Sequence, residues 1–428
     1  LPLVLPACVG ALAYVSTVGP TGLLQDALAP FGVDRLPPIY GFAGSWLCLS
    51  LFSFPYALLA TRTALRGMDP GQEEAGRSLG LSPVGAFFRV TLPQLRPAIA
   101  AGALFAALYS IGDFGVVTLM RYDALTRAIY VQYRSALDRA SAASLALVLI
   151  VVSLGIIAVG IRLRGPEHLH RVSATTAREQ RPLPLGRWRV AATAFCAIVV
   201  GLALVVPIGT LLFWALRSVF RGETFDNLAL AGIHSLTVGA ATAAVVAVAA
   251  IPVTVMIARY PGPLSTVTER LAYLGYAIPR IALALAFVTI GVRTPFYQTI
   301  ALLIIACSVR FISQGIGPAK ISLLQVNPRV EEAARGLGAS QWSAIRRVLV
   351  PLAAPGLLIG AAMVMLNTMK ERPLTLLLAP AGYDTLATAI WNASTDAAYG
   401  QASAAALLLV GLTVIPSLLL ISRYEADR

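Results

Sequence analysis

The chain has 428 residues, of which 57% are hydrophobic and 12% are charged, and its mean hydropathy is +0.77. Soluble domains carry about 25% charged residues, so this composition excludes an ordinary soluble protein and indicates a polytopic membrane protein. The net charge of +13 does not indicate a nucleic-acid partner, because the basic residues lie in short connections between apolar runs. That distribution is the positive-inside pattern of a bilayer protein.

Apolar runs long enough to cross a membrane recur along the whole chain. A spanning helix needs about 20 apolar residues, and we count about ten such windows. Three of these windows run from Ala98 to Met120, from Leu271 to Val292 and from Leu357 to Leu378. Long polar connections occur at residues 61–97, 162–189 and 313–356. If all three connections are cytoplasmic, the number of spans between them is even, so the chain returns to the cytoplasm each time. The C-terminus is then cytoplasmic as well.

The chain contains an internal duplication at an offset of 258 residues. Between residues 73–102 and 331–360, 13 of 30 positions are identical, whereas chance gives about two. Further upstream, residues 2–14 resemble residues 275–287 at an offset of 273. Two apolar spans precede this point in the second half and none precede it in the first. We therefore expect two helices to be missing from the start of the sequence, and the native chain to have six plus six.

The duplication predicts an all-α polytopic membrane protein with two homologous six-helix halves, the first lacking its first two helices here. The predicted boundaries are 1–161 for the first half, 162–189 for a cytoplasmic linker and 190–428 for the second half. The linker contains His168 and His170. Because no third ligand lies near this pair, it predicts a solvated segment, and we predict no metal site in the chain.

Each repeated segment predicts a helical hairpin outside the bilayer. A capping residue followed by proline starts a short helix in each copy, at Asp69-Pro70 and Asn327-Pro328. An acidic pair then falls in the first turn, where the helix dipole favours negative charge. A glycine permits a break, and a proline is expected to end the second short helix before the next span. These residues are Gly80 and Gly338 for the break, and Pro93 and Pro351 for the end.

These residues resemble the EAA loop of the permeases of binding-protein-dependent ABC importers, in which Glu-Ala-Ala, Gly and Leu-Pro follow at fixed spacing. The two copies keep that spacing from Glu74 to Pro93 and from Glu332 to Pro351. In that family the loop docks on the ATP-hydrolysing subunit and transmits its closure to the membrane helices. The resemblance therefore implies ATPase-coupling roles for Glu73, Glu74, Ala75, Gly80, Glu331, Glu332, Ala333 and Gly338.

The resemblance implies a transporter subunit of the bacterial inner membrane, and not an enzyme. No Gly-x-x-x-x-Gly-Lys-Ser/Thr loop occurs in the sequence, so we expect no cofactor on this chain, and ATP and Mg on separate ATPase subunits. Two loops imply two copies of that ATPase subunit. The other implied partners are a substrate-binding protein and membrane lipid, with no nucleic acid. A duplicated secondary transporter is the alternative class, and it would need neither an ATPase nor paired hairpins.

Shorter stretches resemble the fused ferric-iron permeases. These stretches are residues 110–115, 367–378 and 384–388. The resemblance implies ferric iron as the substrate, although Arg372 stands where leucine is more usual in that family. Thiamine, polyamine and phosphonate permeases are near relatives with similar segments, so these three substrates stay open as alternatives.

Two acidic residues occupy equivalent positions within apolar spans, because the offset of 258 relates Asp113 to Glu371. An ionisable group in a span costs about 2.5 to 3.5 kcal/mol on insertion scales, and usually faces a cavity or a partner. One interpretation is that both carboxylates line the translocation path. The other is that they cap helix breaks or pair locally, for example Glu371 with Lys370 or Arg372. The sequence leaves both interpretations open.

Overall fold

The computed structural model describes residues 5–20, 22–32, 36–136, 138–164, 185–225 and 227–426. Within these residues all regular secondary structure is helical, which confirms the predicted all-α class. Most of the predicted linker, including His168 and His170, lies outside the described residues.

The helices fall into two series, before and after the linker. The first series is α1 (Ala7–Val18), α2 (Leu23–Leu28), a 3-10 turn (Ala29–Phe31), α3 (Phe42–Arg66), α4 (Pro70–Ser78), α5 (Pro83–Ala86), a π-helical turn (Phe87–Thr91), α6 (Leu92–Ile111), α7 (Gly115–Leu119), α8 (Leu125–Arg134) and α9 (Arg139–Arg164). The second series is α10 (Trp188–Val200), a π-helical turn (Gly201–Val205), α11 (Val206–Phe220), α12 (Leu228–Arg259), α13 (Pro263–Ala277), α14 (Arg280–Gly291), α15 (Ile300–Gln325), α16 (Arg329–Gly336), α17 (Gln341–Ala344), a π-helical turn (Ile345–Leu349), α18 (Val350–Met369), α19 (Pro373–Leu378), α20 (Leu386–Thr395) and α21 (Tyr399–Ala426).

Eight helical segments of the described chain are long and apolar enough to cross a membrane. The consecutive helices α13 and α14 form a further candidate, as a pair bent by 104°, and α21 contributes a shorter apolar stretch over Tyr399–Val414. These ten positions follow the order of the ten predicted windows. The helix bounds also repeat the offsets of the duplication, since α3 and α15 start 258 residues apart and α1 and α14 start 273 apart.

The window predicted from Leu271 to Val292 is broken in its middle. α13 ends at Ala277, and Ile278 has extended backbone angles, with φ −69° and ψ 132°. The following residue is Pro279, which lacks an N–H and sterically disfavours a helical conformation in the residue before it. The mean hydropathy of this window is high, because a proline breaks the helix without making the segment more polar. Hydropathy therefore gives no sign of the break.

The windows predicted to end at Met120 and Leu378 are also interrupted. α6 ends at Ile111 and α18 ends at Met369, and the short helices α7 and α19 follow after a few residues. In the second half, Pro373 opens α19 and has no N–H to donate to the Met369 carbonyl, which favours an end of α18 before it. Each acidic residue of the Asp113 and Glu371 pair lies in one of these breaks.

The expectation that Pro93 and Pro351 end the second arm of each hairpin is wrong. Pro83–Ile111 and Gln341–Met369 are each one continuous helical segment that contains its proline. A π-helical turn immediately precedes the start of α6 and of α18. The wider turn accommodates a proline ring that would clash with a carbonyl in a regular α-helix. The second arm of each hairpin therefore continues directly into a membrane span.

The chain forms two compact units, one made of residues 1–127 and 147–207, the other of residues 128–146 and 208–428. In the second unit α12, α15 and α18 pack against one another. A Cβ atom at Gly360 would lie 2.9 Å from the Gly315 carbonyl oxygen, so glycine lets α18 approach α15 closely. In the first unit α3 and α6 pack in the same way, with Gly102 against the backbone of Ala57. The sequence boundaries 1–161 and 190–428 stay a prediction about the duplication.

Candidate functional site

The first hairpin is built by side-chain caps and one glycine. Asp69 Oδ1 accepts a hydrogen bond from the Gly71 N–H at 2.9 Å and starts α4, as predicted. Ser82 Oγ accepts from the Gly85 N–H at 3.1 Å and starts α5. Between the two helices Gly80 has φ +91°, a left-handed conformation that favours glycine.

The second hairpin repeats this construction. Asn327 Oδ1 accepts from the Arg329 N–H at 3.0 Å, and α16 begins at Arg329, one residue after the predicted proline. Ser340 Oγ accepts from the Ser343 N–H at 3.3 Å and starts α17. Gly338 has φ +88° between the two helices. The same capping chemistry at the same offset produces the same turn in both units.

The two acidic residues of the second hairpin face in different directions. Glu331 is buried, with its Oε2 atom 3.6 Å from Arg259 Nε at the end of α12. The Nη2 atom of Arg259 also donates to the Val326 carbonyl at 3.0 Å. Glu332 is exposed. Consecutive helical residues point about 100° apart, so the Glu331 carboxylate contacts α12 while the Glu332 carboxylate points away from it and is exposed.

The first hairpin divides its acidic pair in the same sense but with a different partner. Glu73 is half-buried, and its Oε2 atom accepts a hydrogen bond from the Thr91 hydroxyl at 3.2 Å. Glu74 is exposed, like Glu332. The residue equivalent to Thr91 is Leu349, which is fully buried beneath the second hairpin in an apolar cluster with Val255, Leu323 and Ala353.

Both hairpins carry apolar side chains in solvent at equivalent positions. Leu79 and Leu337 are 87% and 90% exposed, and Val84 and Trp342 are 66% and 71% exposed. Four of the residues predicted to couple to the ATPase are also exposed in the hairpins: Ala75, Gly80, Ala333 and Gly338. Large apolar groups that are exposed at equivalent positions of both hairpins are a candidate surface for another protein. Sequence reasoning missed these four large side chains, although their position next to a repeated glycine break was a visible signal.

Asp113 caps a helix break and also borders a cavity in the first unit. Its Oδ1 atom accepts from the Val116 N–H at 2.7 Å, and its carbonyl oxygen accepts from the Thr126 hydroxyl at 2.7 Å. The cavity measures about 270 Å³ and is lined largely by apolar groups. Its polar lining includes Asp113, Ser45, Ser50, Ser53, Ser110 and Thr126. One buried carboxylate and several hydroxyl groups therefore border the same space.

Glu371 is buried in the second unit and is paired across helices. Its Oε2 atom lies 3.5 Å from Arg310 Nε on α15, and both side chains are less than a tenth exposed. The guanidinium of Arg372 lies over the ring of Trp391, 5.4 Å from its centroid. In the described part of the chain, no three His, Cys, Asp or Glu residues come together as a metal site.

Comparison with known proteins places this architecture in a family. The profile of the binding-protein-dependent transport system inner membrane component matches residues 3–163 and 250–423. The chain belongs to this family. It is the multi-pass membrane permease of an ABC importer and not itself an enzyme. The two matched ranges contain the two hairpins and the two acidic breaks.

Several curated relatives are permeases of metal importers. An Fe(3+)-transport system permease protein of Haemophilus influenzae is 30% identical over 426 residues, covering 98% of this chain and 80% of the relative. A ferric transport system permease protein of Actinobacillus pleuropneumoniae is 25% identical over 96% of this chain and 63% of its own length. A molybdenum transport system permease protein of Escherichia coli is 35% identical over 27% of this chain and 49% of its own length.

The inward carboxylate should stabilise the second hairpin. We expect Glu331→Gln to increase amide hydrogen exchange in α16 by roughly tenfold, because it removes one partner of a buried ion pair and leaves the Arg259 guanidinium without its counter-charge. Glu332→Gln is the matched control, since it makes the same chemical change one residue later on an exposed side chain. Equal exchange in the two variants would show that Arg259 does not hold the hairpin.

Proposed function

We propose that this permease carries ferric iron released by a substrate-binding protein, driven by two ATPase subunits docked on its two hairpins. Ferric iron is chosen as the substrate because the similarity to a ferric permease extends over nearly the whole chain. The ferric relative from Haemophilus influenzae aligns with 98% of this chain, through both duplicated halves. The molybdenum permease of Escherichia coli aligns with 27%. Molybdate is therefore the second candidate substrate.

The hairpins are the proposed docking sites because they join an exposed apolar surface to the membrane helices. Leu337 and Trp342 offer apolar contacts, and Glu332 offers a charge beside them. The second arm runs without interruption from Gln341 to Met369. A displacement of the hairpin by ATPase closure would therefore move α18 as a rigid lever. The first hairpin has the same construction, which supports one ATPase subunit per hairpin and ATP and Mg on those subunits.

The proposed orientation places both hairpins and the C-terminus in the cytoplasm. α12 ends beside the second hairpin, where Arg259 contacts Glu331, so its other end at Leu228 lies towards the opposite face of the membrane. Phe220 precedes Leu228 by a short connection and is 86% exposed. The substrate-binding protein is proposed to approach this opposite face.

The proposed path includes the carboxylates of Asp113 and Glu371. Ferric iron is a hard cation that prefers oxygen ligands, and a few oxygen atoms met in sequence allow passage where a closed chelating site would hold the ion. The hydroxyl-bordered cavity at Asp113 supports this role in the first unit. Glu371 is already paired with Arg310, so its contact with a passing ion would require that pair to loosen.

Docking through the hairpins predicts that charge on their apolar surface weakens ATPase binding. Leu337→Asp should reduce the affinity of the purified permease for its ATPase by about tenfold or more, because a carboxylate would be buried in an apolar contact. Glu332→Lys and Glu74→Lys should also weaken binding. Phe220→Asp is the control, since it alters a residue of similar exposure on the proposed opposite face. Wild-type affinity in all three hairpin variants would disprove the docking assignment.

The orientation predicts which side of the membrane reaches each end of the chain. In a variant with Cys196 replaced by serine, a cysteine at Arg428 should react with a membrane-impermeant maleimide only from the cytoplasmic side. A cysteine at Phe220 should react only from the other side. Labelling of Arg428→Cys from the periplasmic side would overturn the topology.

The proposed path role of the two carboxylates predicts variants that lose iron uptake but keep ATP hydrolysis. In vesicles reconstituted with the ATPase and an iron-loaded binding protein, Asp113→Asn and Glu371→Gln should each lower iron uptake by roughly tenfold while stimulated hydrolysis continues, because each removes a charge that contacts the ion. Unchanged uptake in both variants would exclude the path role. Uptake of molybdate instead of iron by the wild-type protein would exclude the ferric substrate.

A further inference from the structure

Arg310 is a buried cation in the middle of α15 that neither the hairpins nor the proposed path employs. It is 5% exposed. A guanidinium within a span costs about 2.5 to 3.5 kcal/mol on insertion scales unless it finds partners. The duplication relates this position to Phe52 of α3. The second half therefore has a buried positive charge at a position where the first half has an apolar ring.

The guanidinium of Arg310 contacts two interruptions of the helical structure. Its Nη1 atom donates a hydrogen bond to the Ile278 carbonyl at 3.0 Å, at the 104° break between α13 and α14. Its Nε atom lies 3.5 Å from Glu371 Oε2, in the break between α18 and α19. The rings of Tyr276 and Phe311 flank it, with centroids 5.5 and 5.6 Å from the central guanidinium carbon.

Each contact satisfies a group that a break leaves without a partner. Where α13 stops before Pro279, carbonyl groups at its end lose their helical partners, and a cation there also suits the helix dipole. Glu371 is a carboxylate buried in a non-helical segment, and it needs a positive partner. The guanidinium meets the two acceptors with two different nitrogen atoms, Nη1 and Nε, whereas the three N–H donors of a lysine all lie on one nitrogen. α14 and α19 also pack against each other, so the two breaks adjoin.

The first half holds its equivalent break by local means. Asp113 caps α7 by accepting from the Val116 N–H at 2.7 Å. Phe52 is buried and packs closely against Gly10 of α1, since a Cβ atom at Gly10 would lie 2.1 Å from the Phe52 ring. The first half thus stabilises its break with apolar packing and a helix cap, whereas the second half uses an ion pair with another helix.

The contact between Arg310 and Glu371 is an ion pair at 3.5 Å, longer than a charged hydrogen bond, whereas the contact of Arg310 with the Ile278 carbonyl is a hydrogen bond at 3.0 Å. Together these two contacts join the two breaks through one side chain.

We propose that Arg310 is a positioning residue of the transport cycle, which fastens the α13–α14 break to the α18–α19 break so that the two move together. α18 continues from the second hairpin, so this link would carry motion from the proposed ATPase docking site to α13 and α14. The proposal rests on the importer assignment and on hairpin docking, and it does not require Glu371 to contact the substrate.

The test measures substrate transported per ATP hydrolysed in vesicles reconstituted with the ATPase and a loaded binding protein. Arg310→Lys keeps a charge beside Glu371 but removes the separate Nη1 donor to the Ile278 carbonyl, and we expect the transport ratio to fall roughly tenfold, equivalent to about 1.4 kcal/mol. Arg270→Lys is the control, because Arg270 is exposed on α13 away from the break. If Glu371 only lines the path, Arg310→Lys should transport normally, and a normal ratio in that variant would overturn the proposal.

A double variant separates positioning from folding. Arg310→Phe alone leaves a buried carboxylate without its partner and should lower the amount of protein in the membrane. Arg310→Phe with Glu371→Leu removes both charges, and apolar replacement of a buried pair is often neutral for stability. We expect this double variant to recover its membrane level but not its transport ratio. Since a path role of Glu371 would also keep the ratio low, a low ratio counts for the proposal only together with the loss in Arg310→Lys, which retains Glu371. Recovery of both would show a purely structural role, and if the double variant does not recover, Arg310→Lys alone decides.

Discussion

A helix that breaks inside a membrane leaves backbone groups that water cannot reach, and this constraint governs the architecture of the chain. Each described half contains such interruptions, at prolines or beside acidic residues, and in each half a side chain satisfies a backbone group at one of them. Asp113 accepts a hydrogen bond from the Val116 N–H, whereas Arg310 donates one to the Ile278 carbonyl. Two buried charged residues in the spans therefore serve the backbone at a break.

The same constraint bears on how each hairpin is connected to its membrane span. A proline normally ends a helix, and an ended helix at Pro93 or Pro351 would isolate each hairpin from its span. The π-helical turn before each proline keeps the segment continuous instead. The second hairpin is also held to α12 by Arg259 and by the apolar cluster around Leu349. A hairpin attached at two places to the membrane helices is suited to transmit a push from a partner.

The two halves descend from one sequence but do not remain equivalent. Glu73 and Glu331 turn inward to different partners, Thr91 and Arg259. Asp113 and Glu371 also differ, since one caps a helix and the other pairs with a charge on another helix. Duplicated folds allow this, because each half needs its breaks and hairpins satisfied but the fold does not dictate by which residue. The functional asymmetry of the permease is expected to follow these substitutions.

The sequence by itself determined the class, the order of the spans, the duplication and the caps of both hairpins, because hydropathy, proline, glycine and capping residues act over a few neighbouring positions. Only the tertiary structure decided which acid of each pair faces inward, since Glu331 and Glu332 are chemically alike and differ by a 100° rotation. It also decided that Glu371 meets Arg310, 61 positions away, and not a neighbour. That partner depends on how α15 and the α18–α19 break pack, and no local pattern encodes that packing.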